Sequence, residues 1–516
     1  MFGNDTAGID LLRLRSQSTP QRVAISDSED GSEWSYRELD EAVSEMARSV
    51  RVALEQNAEQ TCLAVALSTR PEFVFAAHAT MRLGWQLVPL NTRLSQRELK
   101  TRITRLDPAG VVCGAETEST VIEALSATES GIDNETPPVL TVDEPVTEQS
   151  RVLRSVGKNQ QTSFDPHASS DTALILFTSG TTGDPKAVRL TVGNLVSSAI
   201  ASALRLGVTP QDRWLCCLPM YHMGGLAPVF RSALYGTTLV LQRQFDATET
   251  AKITSHEGIT GISLVPTQLS RLLDEDFFAP SLRTVLLGGA PAAESLLDRA
   301  DDSELPVYPT YGLTETASQV ATARPAERRD RPGTVGQPLF GTTVRIVDEG
   351  ETLDAGERGE IVVDGPTVTP GYLDEVHNQG AFSEFGLHTG DVGYFDTDGY
   401  LWVLGRLDDT IITGGELVAP AEVAAQLQKL STIEDTAVVG IEDEEWGERV
   451  GAVIVKASAD LDTATVREQV TEHCRETLAD YKRPRTIRFV ETIPRTHSGT
   501  VDRERTRTLL KHDTDS

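Results

Sequence analysis

The strongest constraint on this chain lies at Thr178-Ser179-Gly180-Thr181-Thr182-Gly183-Asp184-Pro185-Lys186. The apolar run before it, Ala173-Leu174-Ile175-Leu176-Phe177, reads as a buried strand. Four hydroxyl residues and two glycines then fall within six positions, closed by a proline and a lysine. Gly180 and Gly183 open backbone angles that other residues avoid, so the amides can curl around a polyanion. The hydroxyls add donors, and Lys186 adds a compact positive charge suited to phosphate. Clusters of this composition are also ordinary turns. A Walker-type loop opens a helix with Gly-Lys-Ser/Thr. Here Pro185 separates the glycine from the lysine, and Ala187-Val188-Arg189-Leu190 alternates like a strand. The segment therefore reads as a nucleotide-triphosphate cradle, but not the ordinary P-loop.

Several other stretches converge on the same chemistry. Thr284-Val285-Leu286-Leu287-Gly288-Gly289-Ala290-Pro291 reads as a buried strand closing in a glycine turn. Val307-Tyr308-Pro309-Thr310-Tyr311-Gly312-Leu313-Thr314-Glu315-Thr316 is another strand with a polar exit. The two turns can wall one crevice, where Tyr311 stacks a purine, Thr314 bonds a phosphate and Glu315 holds Mg²⁺ through oxygen. The alternative is a Tyr-Gly turn followed by surface acids. A strand over 214–220 leads to His222 and two glycines, the place where α/β sheets meet ligands. A lone histidine is more often a satisfied polar group than a catalyst. Arg231 falls on the helix expected next, as a solvated arginine or as a clamp for a second carboxylate on the substrate.

The whole phosphate string resembles that of the adenylate-forming enzymes: acyl-CoA synthetases, luciferases and the adenylation domains of peptide synthetases. Ala187 departs from it, since that family usually has glycine after the lysine. By this resemblance, which spans nearly the entire chain, Thr178, Ser179, Gly180, Thr181, Thr182, Gly183, Gly288, Gly289, Ala290, Tyr311 and Gly312 would bind the nucleotide. Lys186, His222, Thr314 and Glu315 would take catalytic roles, with His222 lining the acyl pocket. In His388-Thr389-Gly390-Asp391, a carboxylate at a glycine turn suits both ribose hydroxyls, and Asp391 takes that role by resemblance, with Arg406 also on the ribose. The resemblance implies ATP, Mg²⁺ and CoA as co-reactants. It also implies a small C-terminal domain that swings about Asp408 between adenylating and thioester-forming poses. Three stretches (218–236, 311–319 and 336–341) resemble the acid–CoA ligases of menaquinone biosynthesis, whose substrate, 2-succinylbenzoate, is a dicarboxylate. Another aryl- or acyl-CoA ligase, or a homologue that binds nucleotide without catalysis, are the rival readings. One residue is out of pattern: Thr500 follows Ser498-Gly499 where the family carries a lysine. Arg503, Arg495 and Lys482 are the cations able to replace it.

The expected architecture is α/β. Strand runs at 61–67 and 86–91 alternate with a helical pattern at 71–83, which argues for parallel sheets with flanking helices. Residues 116–165, dense in Thr, Ser, Glu and Pro, read as loop. Short strands at 344–347, 359–363 and 399–404 suggest a small β-barrel-like subdomain. Strands at 434–456 and 487–493 belong to the α+β C-terminal domain. The expected divisions are 1–405, a hinge at 406–409, and a mobile domain at 410–516.

Composition narrows the setting. The formal charge is −30, from 77 acidic and 47 basic residues, of which only 8 are lysine. An acidic surface nearly without lysine resembles proteins of salt-rich cytoplasm, where repulsion is screened within about 3 Å at molar salt. It disfavours nucleic acid as a partner. The five cysteines lack metal-ligand spacing, and Cys216-Cys217 sits in an apolar run that reads as core. The first ten residues carry neither the basic region nor the apolar core of a signal peptide, so a cytoplasmic enzyme with small-molecule partners is expected.

Overall fold

The computed structural model describes residues 8–511 except 58–59, 127–135, 155–163, 179–184, 276, 278, 410, 414–415, 419, 444–445 and 497–499, and without the side chains of Asp408, Ile412, Glu416 and Leu417. Two large sheets dominate. A nine-stranded sheet has a parallel centre built from Val23–Asp27, Thr238–Leu241, Arg213–Cys216, Gly261–Leu264, Thr284–Leu287 and Val307–Tyr311. A seven-stranded sheet runs from Ser150–Val152 at one edge to Lys186–Thr191 at the other.

Helices between the sheets have no solvent face. In Pro71–Leu83 every residue except Glu72 and Phe75 is buried. A helix apolar on all sides belongs between layers, not on a surface. One core joins Val65 and Leu87 of the seven-stranded sheet, Phe73 and Phe230 of the central helices, and Leu239 of the nine-stranded sheet. Separate cores cover the outer faces of both sheets. The result is a layered α/β body.

Local chemistry accounts for several boundaries. Ser35 caps helix Tyr36–Ala53, and Glu38 returns the bond in a capping box. Strand Arg213–Cys216 stops short of the expected 214–220, where its parallel partner Thr238–Leu241 also ends, at the pair Cys216 and Leu241. The expectation of loop over 116–165 is corrected. Residues 115–126 form a helix, and Val139–Thr141 and Ser150–Val152 extend the parallel sheet. Glu118 fastens this edge: its buried carboxylate accepts from the amides of Val146 and Thr147 and from the Ser150 hydroxyl. Those bonds hold its pKa down against the burial that would raise it.

A six-stranded antiparallel sheet follows, including Thr343–Asp348, Gly359–Asp364, Gly386–Phe395 and Leu401–Arg406. After the turn Leu407–Asp409 the chain enters a five-stranded sheet centred on the hairpin Ile433–Asp443 and Gly447–Lys456. Helices Pro420–Leu427, Thr463–Thr477 and Arg503–Lys511 flank it, with its own cores. Arg358, just before strand Gly359–Asp364, reaches Glu422 of this last body at 3.4 Å. Among the described residues no helix is long and apolar enough to cross a membrane.

Candidate active site

The strand Thr172–Thr178 pairs antiparallel with Lys186–Thr191, and Thr178 stands opposite Lys186. A strand therefore follows the lysine, as its alternation indicated, and no Walker helix forms. Ser179, Gly180, Thr181, Thr182 and Gly183, the middle of the expected cradle, lie outside the described residues. Both ends of it are held. The Arg105 guanidinium donates to the Pro185 carbonyl at 2.6 Å and pairs with Asp374. Arg102 and Arg105 lie over the Phe177 ring at 5.1 and 5.9 Å. Sequence reading missed these two arginines. Their signal was a run of basic residues on helix Gln96–Leu106 in an otherwise acidic chain.

Lys186 and Glu315 meet through a residue that was also missed. The Tyr372 hydroxyl donates to Glu315 Oε1 at 3.1 Å, and the Lys186 ammonium lies 5.2 Å from the centre of the Tyr372 ring. Burial, then the Glu315 charge, pushes the Tyr372 pKa up, so the hydroxyl keeps its proton. Thr314 and Glu315 sit in a single 3₁₀ turn after strand Val307–Tyr311. Its exit is sterically specific. A Cβ on Gly312 would lie 1.7 Å from the Ser318 carbonyl oxygen, so only glycine fits. Ala317 and Ser318 adopt φ of 51° and 116°, a strained pair of the kind concentrated at ligand sites.

Tyr311, Asp391 and Arg406 form a second group. Tyr311 donates to Asp391 Oδ2 at 2.6 Å, and Arg406 donates to Asp391 Oδ1 at 3.3 Å. Burial raises the Asp391 pKa while these two partners oppose it. Each carboxylate oxygen retains a second acceptor position, enough for a diol. Asp391 was expected at a turn. It lies instead inside the long strand Gly386–Phe395, where Gly390 at φ +70° interrupts regular pairing. Glu360 supports the interruption by accepting the Gly390 amide at 2.9 Å. Gly288, Gly289 and Ala290 follow the neighbouring strand Thr284–Leu287, and a Cβ on Gly288 would meet Thr310 at 2.8 Å. Gly288 to Ala290 and Tyr311 thus come from adjacent strands of the nine-stranded sheet, and Asp391 and Arg406 are brought to Tyr311 from the six-stranded one.

His222 precedes helix Met223–Tyr235, its ring edge-on to Tyr221 at 4.8 Å. The residue is exposed, and lost hydration, then the charges of Arg102 and Arg93, lower its pKa. Arg102, over Phe177, links His222 to the strand that enters the phosphate loop. Arg231 is buried on the same helix, and Nη2 donates to Ser198 Oγ at 3.2 Å. No carboxylate among the described residues lies within ion-pair distance of it. Burial accordingly pulls its pKa down. Ser198 in turn donates to the Ala317 carbonyl at 2.7 Å, two residues beyond Glu315. Arg231 lines a small cavity with Trp214, Ser202 and Tyr235. Cys216 and Cys217 are buried core residues with raised pKa values.

Near the other end, Thr500 exchanges contacts with Thr496, and Ser498 and Gly499 lie outside the described residues. Lys482 pairs with Glu422 at 2.7 Å and Arg495 with Asp435 at 2.7 Å, both inside the C-terminal body. Arg503 pairs with Asp409 in the boundary turn at 2.6 Å. The Asp408 side chain, the expected pivot, lies outside the described residues.

The model of AMP-binding enzymes matches residues 12–373, and that of the AMP-binding enzyme C-terminal domain matches 422–500. The chain is 38% identical to the 2-succinylbenzoate–CoA ligase of Bacillus velezensis, covering 97% of this chain and 98% of that one. Its structure is similar to o-succinylbenzoate CoA synthetase (MenE) from Bacillus subtilis in complex with the acyl-adenylate intermediate OSB-AMP. That match has a TM-score of 0.83 and 33% identity, and covers 96% of this chain and 98% of that one. The same enzyme in complex with ATP and magnesium ion also matches at TM-score 0.83 and 33% identity, over 97% of this chain and 99% of that one.

Proposed function

Because the chain belongs to the AMP-binding enzyme family, we propose that it is an ATP-dependent ligase for 2-succinylbenzoate. One carboxylate attacks the α-phosphate of ATP, releasing pyrophosphate and leaving an acyl-adenylate. The CoA thiol then displaces AMP to give the thioester. The observation that carries the choice of acid is Arg231, a buried cation without a carboxylate partner among the described residues. A buried unpaired charge is costly. A substrate with a second carboxylate, the one not activated, supplies the missing partner.

The remaining roles follow from position. Lys186 and Thr178, at the described ends of the loop, take the phosphates, and Ser179, Gly180, Thr181, Thr182 and Gly183 take the same role from the sequence motif alone. Thr314 bonds a phosphate oxygen, Tyr311 with Gly288, Gly289, Ala290 and Gly312 lines the adenine slot, and Asp391 with Arg406 holds the ribose. His222 walls the acyl pocket. Glu315 suits Mg²⁺: it is an oxygen donor whose Oε2 carries no hydrogen bond among the described residues, and Mg²⁺ takes few protein carboxylates. Bound there, the ion neutralises phosphate charge; the protein groups position the reactants and stabilise developing charge.

The boundary turn 406–409 separates a catalytic body, 1–405, from a mobile domain, 410–516, pivoting on Asp408. Arg503 is the cation best placed to stand in for the lysine absent at Thr500, since its pair with Asp409 already reaches the boundary turn. The acidic, lysine-poor surface supports a salt-rich cytoplasm as the working place. ATP-dependent thioester formation with a panel of carboxylic acids tests the reading. 2-Succinylbenzoate is expected to be turned over best; faster turnover of a monocarboxylate overturns the choice of acid, and no thioester with any acid overturns the enzyme.

A further inference from the structure

Tyr372 stands outside every role assigned above, yet it touches two groups assigned to the nucleotide. It is 5% exposed and lies beyond strand Gly359–Asp364, in the segment 369–373. That segment is stitched to both halves of the phosphate site. Leu373 N donates to the Ala187 carbonyl at 2.8 Å, and Arg189 N donates to the Gly371 carbonyl at 3.2 Å, fastening it to the strand that begins with Lys186. Thr369 N donates to the Glu315 carbonyl at 2.7 Å, fastening it to the metal-candidate turn. Gly371 makes the sharp approach possible at φ +134°, where a Cβ would lie 2.6 Å from Asn378 Oδ1. Asn378 Oδ1 accepts from Tyr372 N at 2.8 Å. Backbone and ring are thus both held.

We propose that Tyr372 is a positioning residue for ATP: its hydroxyl orients the Glu315 carboxylate and its ring face seats the Lys186 ammonium. One buried side chain then sets the spacing between metal ligand and phosphate cation, the first in the turn after a strand of the nine-stranded sheet and the second on a strand of the seven-stranded one. The hydroxyl occupies Oε1 and leaves Oε2 without a hydrogen bond among the described residues. The ring attracts the ammonium through its quadrupole without neutralising it, so the charge stays available to phosphate. A carboxylate in the same place would pair with Lys186 and compete with the nucleotide.

This inference rests on Glu315 and Lys186 having the metal and phosphate roles given above, and the test separates the two claims. Pyrophosphate release is measured against Mg²⁺ and against ATP for wild type, Tyr372→Phe, Tyr372→Leu, Glu315→Gln and Lys186→Ala, with nucleotide binding followed directly by calorimetry. Tyr372→Phe keeps the ring and loses the hydroxyl. It is expected to raise half-saturating Mg²⁺ about tenfold, the worth of one hydrogen bond to a charged group, while leaving ATP affinity at saturating Mg²⁺ unchanged. Tyr372→Leu is expected to do this and also weaken ATP roughly fivefold through loss of the ring face. Should the leucine variant fail to fold, the phenylalanine variant decides alone. If Tyr372→Phe lowers the Mg²⁺ requirement, the hydroxyl competes with the ion and the proposal is overturned. If both variants lose stability with no change in Mg²⁺ or ATP dependence, Tyr372 is packing only and the proposal is overturned. If Glu315→Gln and Lys186→Ala leave both dependences unmoved, it is the site reading that falls.

Discussion

At the residue scale, the two most informative side chains are one that is present and unpaired and one that is absent. Arg231 makes a hydrogen bond to Ser198 but meets no carboxylate among the described residues. Removing one partner of a buried charge pair costs roughly 2–5 kcal/mol. Arg231→Ala is therefore expected to raise the Michaelis constant for 2-succinylbenzoate by about thirtyfold or more, with that for ATP unchanged. Equal loss for both substrates would remove Arg231 from the acid site. Thr500 offers no positive charge where the superfamily carries one. One well-placed transition-state donor is worth about 10²–10³ in rate. Arg503→Ala is expected to slow pyrophosphate release by that factor while sparing CoA transfer from pre-made acyl-adenylate; Arg495→Ala and Lys482→Ala should slow neither. If none of the three matters and Thr500→Lys speeds adenylation about a hundredfold, the arginine substitution is wrong. Thr500 was legible in the sequence as a departure from the family pattern, and Arg231 as a candidate clamp on the helix after His222. What sequence could not supply was the state of their neighbours: that no carboxylate among the described residues lies within ion-pair distance of Arg231, and that Arg503 reaches across to Asp409.

At the scale of elements, helix Pro71–Leu83 packs its His78 ring edge-on against Phe230 of helix Met223–Tyr235, at 5.8 Å. Burial lowers the His78 pKa to about 4, Arg82 pushes the same way, and Asp10 opposes. Between pH 6.5 and 4 the unfolded chain takes up a proton here and the folded one does not. Stability from this group is therefore complete above pH 6.5 and is lost as pH falls toward 4, by on the order of 3 kcal/mol. Urea unfolding midpoints measured across that window should fall with acid for wild type, and the decline should be shallower in His78→Gln. Parallel curves would mean that the imidazole is not buried neutral. The helix itself was readable to its last residue, because Pro71 opens it and Gly84 closes it at φ +68°. The strands Val139–Thr141 and Ser150–Val152 were not. Three residues carry too little periodicity to be seen, and each pairs only because a neighbour offers an edge: Gly110–Cys113 for Val139–Thr141, and Val139–Thr141 in turn for Ser150–Val152.

At the scale of the molecule, a charge of −30 repels itself, and among the described residues much of the arginine is spent on local pairs such as Arg70 with Asp143 and Arg82 with Asp10. The remaining excess is unscreened in dilute buffer. The melting temperature and the ligase rate are both expected to rise between low and molar KCl. A melting temperature independent of KCl would sever composition from salt requirement.

The sequence alone determined the chemistry: its glycines, hydroxyls and lysine come in contiguous strings, and a phosphate loop needs neighbours in the chain. It also determined the alternation of strand and helix, since periodicity is local. Only tertiary structure decided which of these strings share a site. Lys186 and Glu315 are over a hundred residues apart and meet on Tyr372, which no motif led to, because its place comes from backbone bonds to the strand that begins with Lys186 and to the turn that holds Glu315. Asp391 and Tyr311 are joined by a hydroxyl for the same reason: contact between distant strands depends on sheet order, and sheet order is a property of the packed whole.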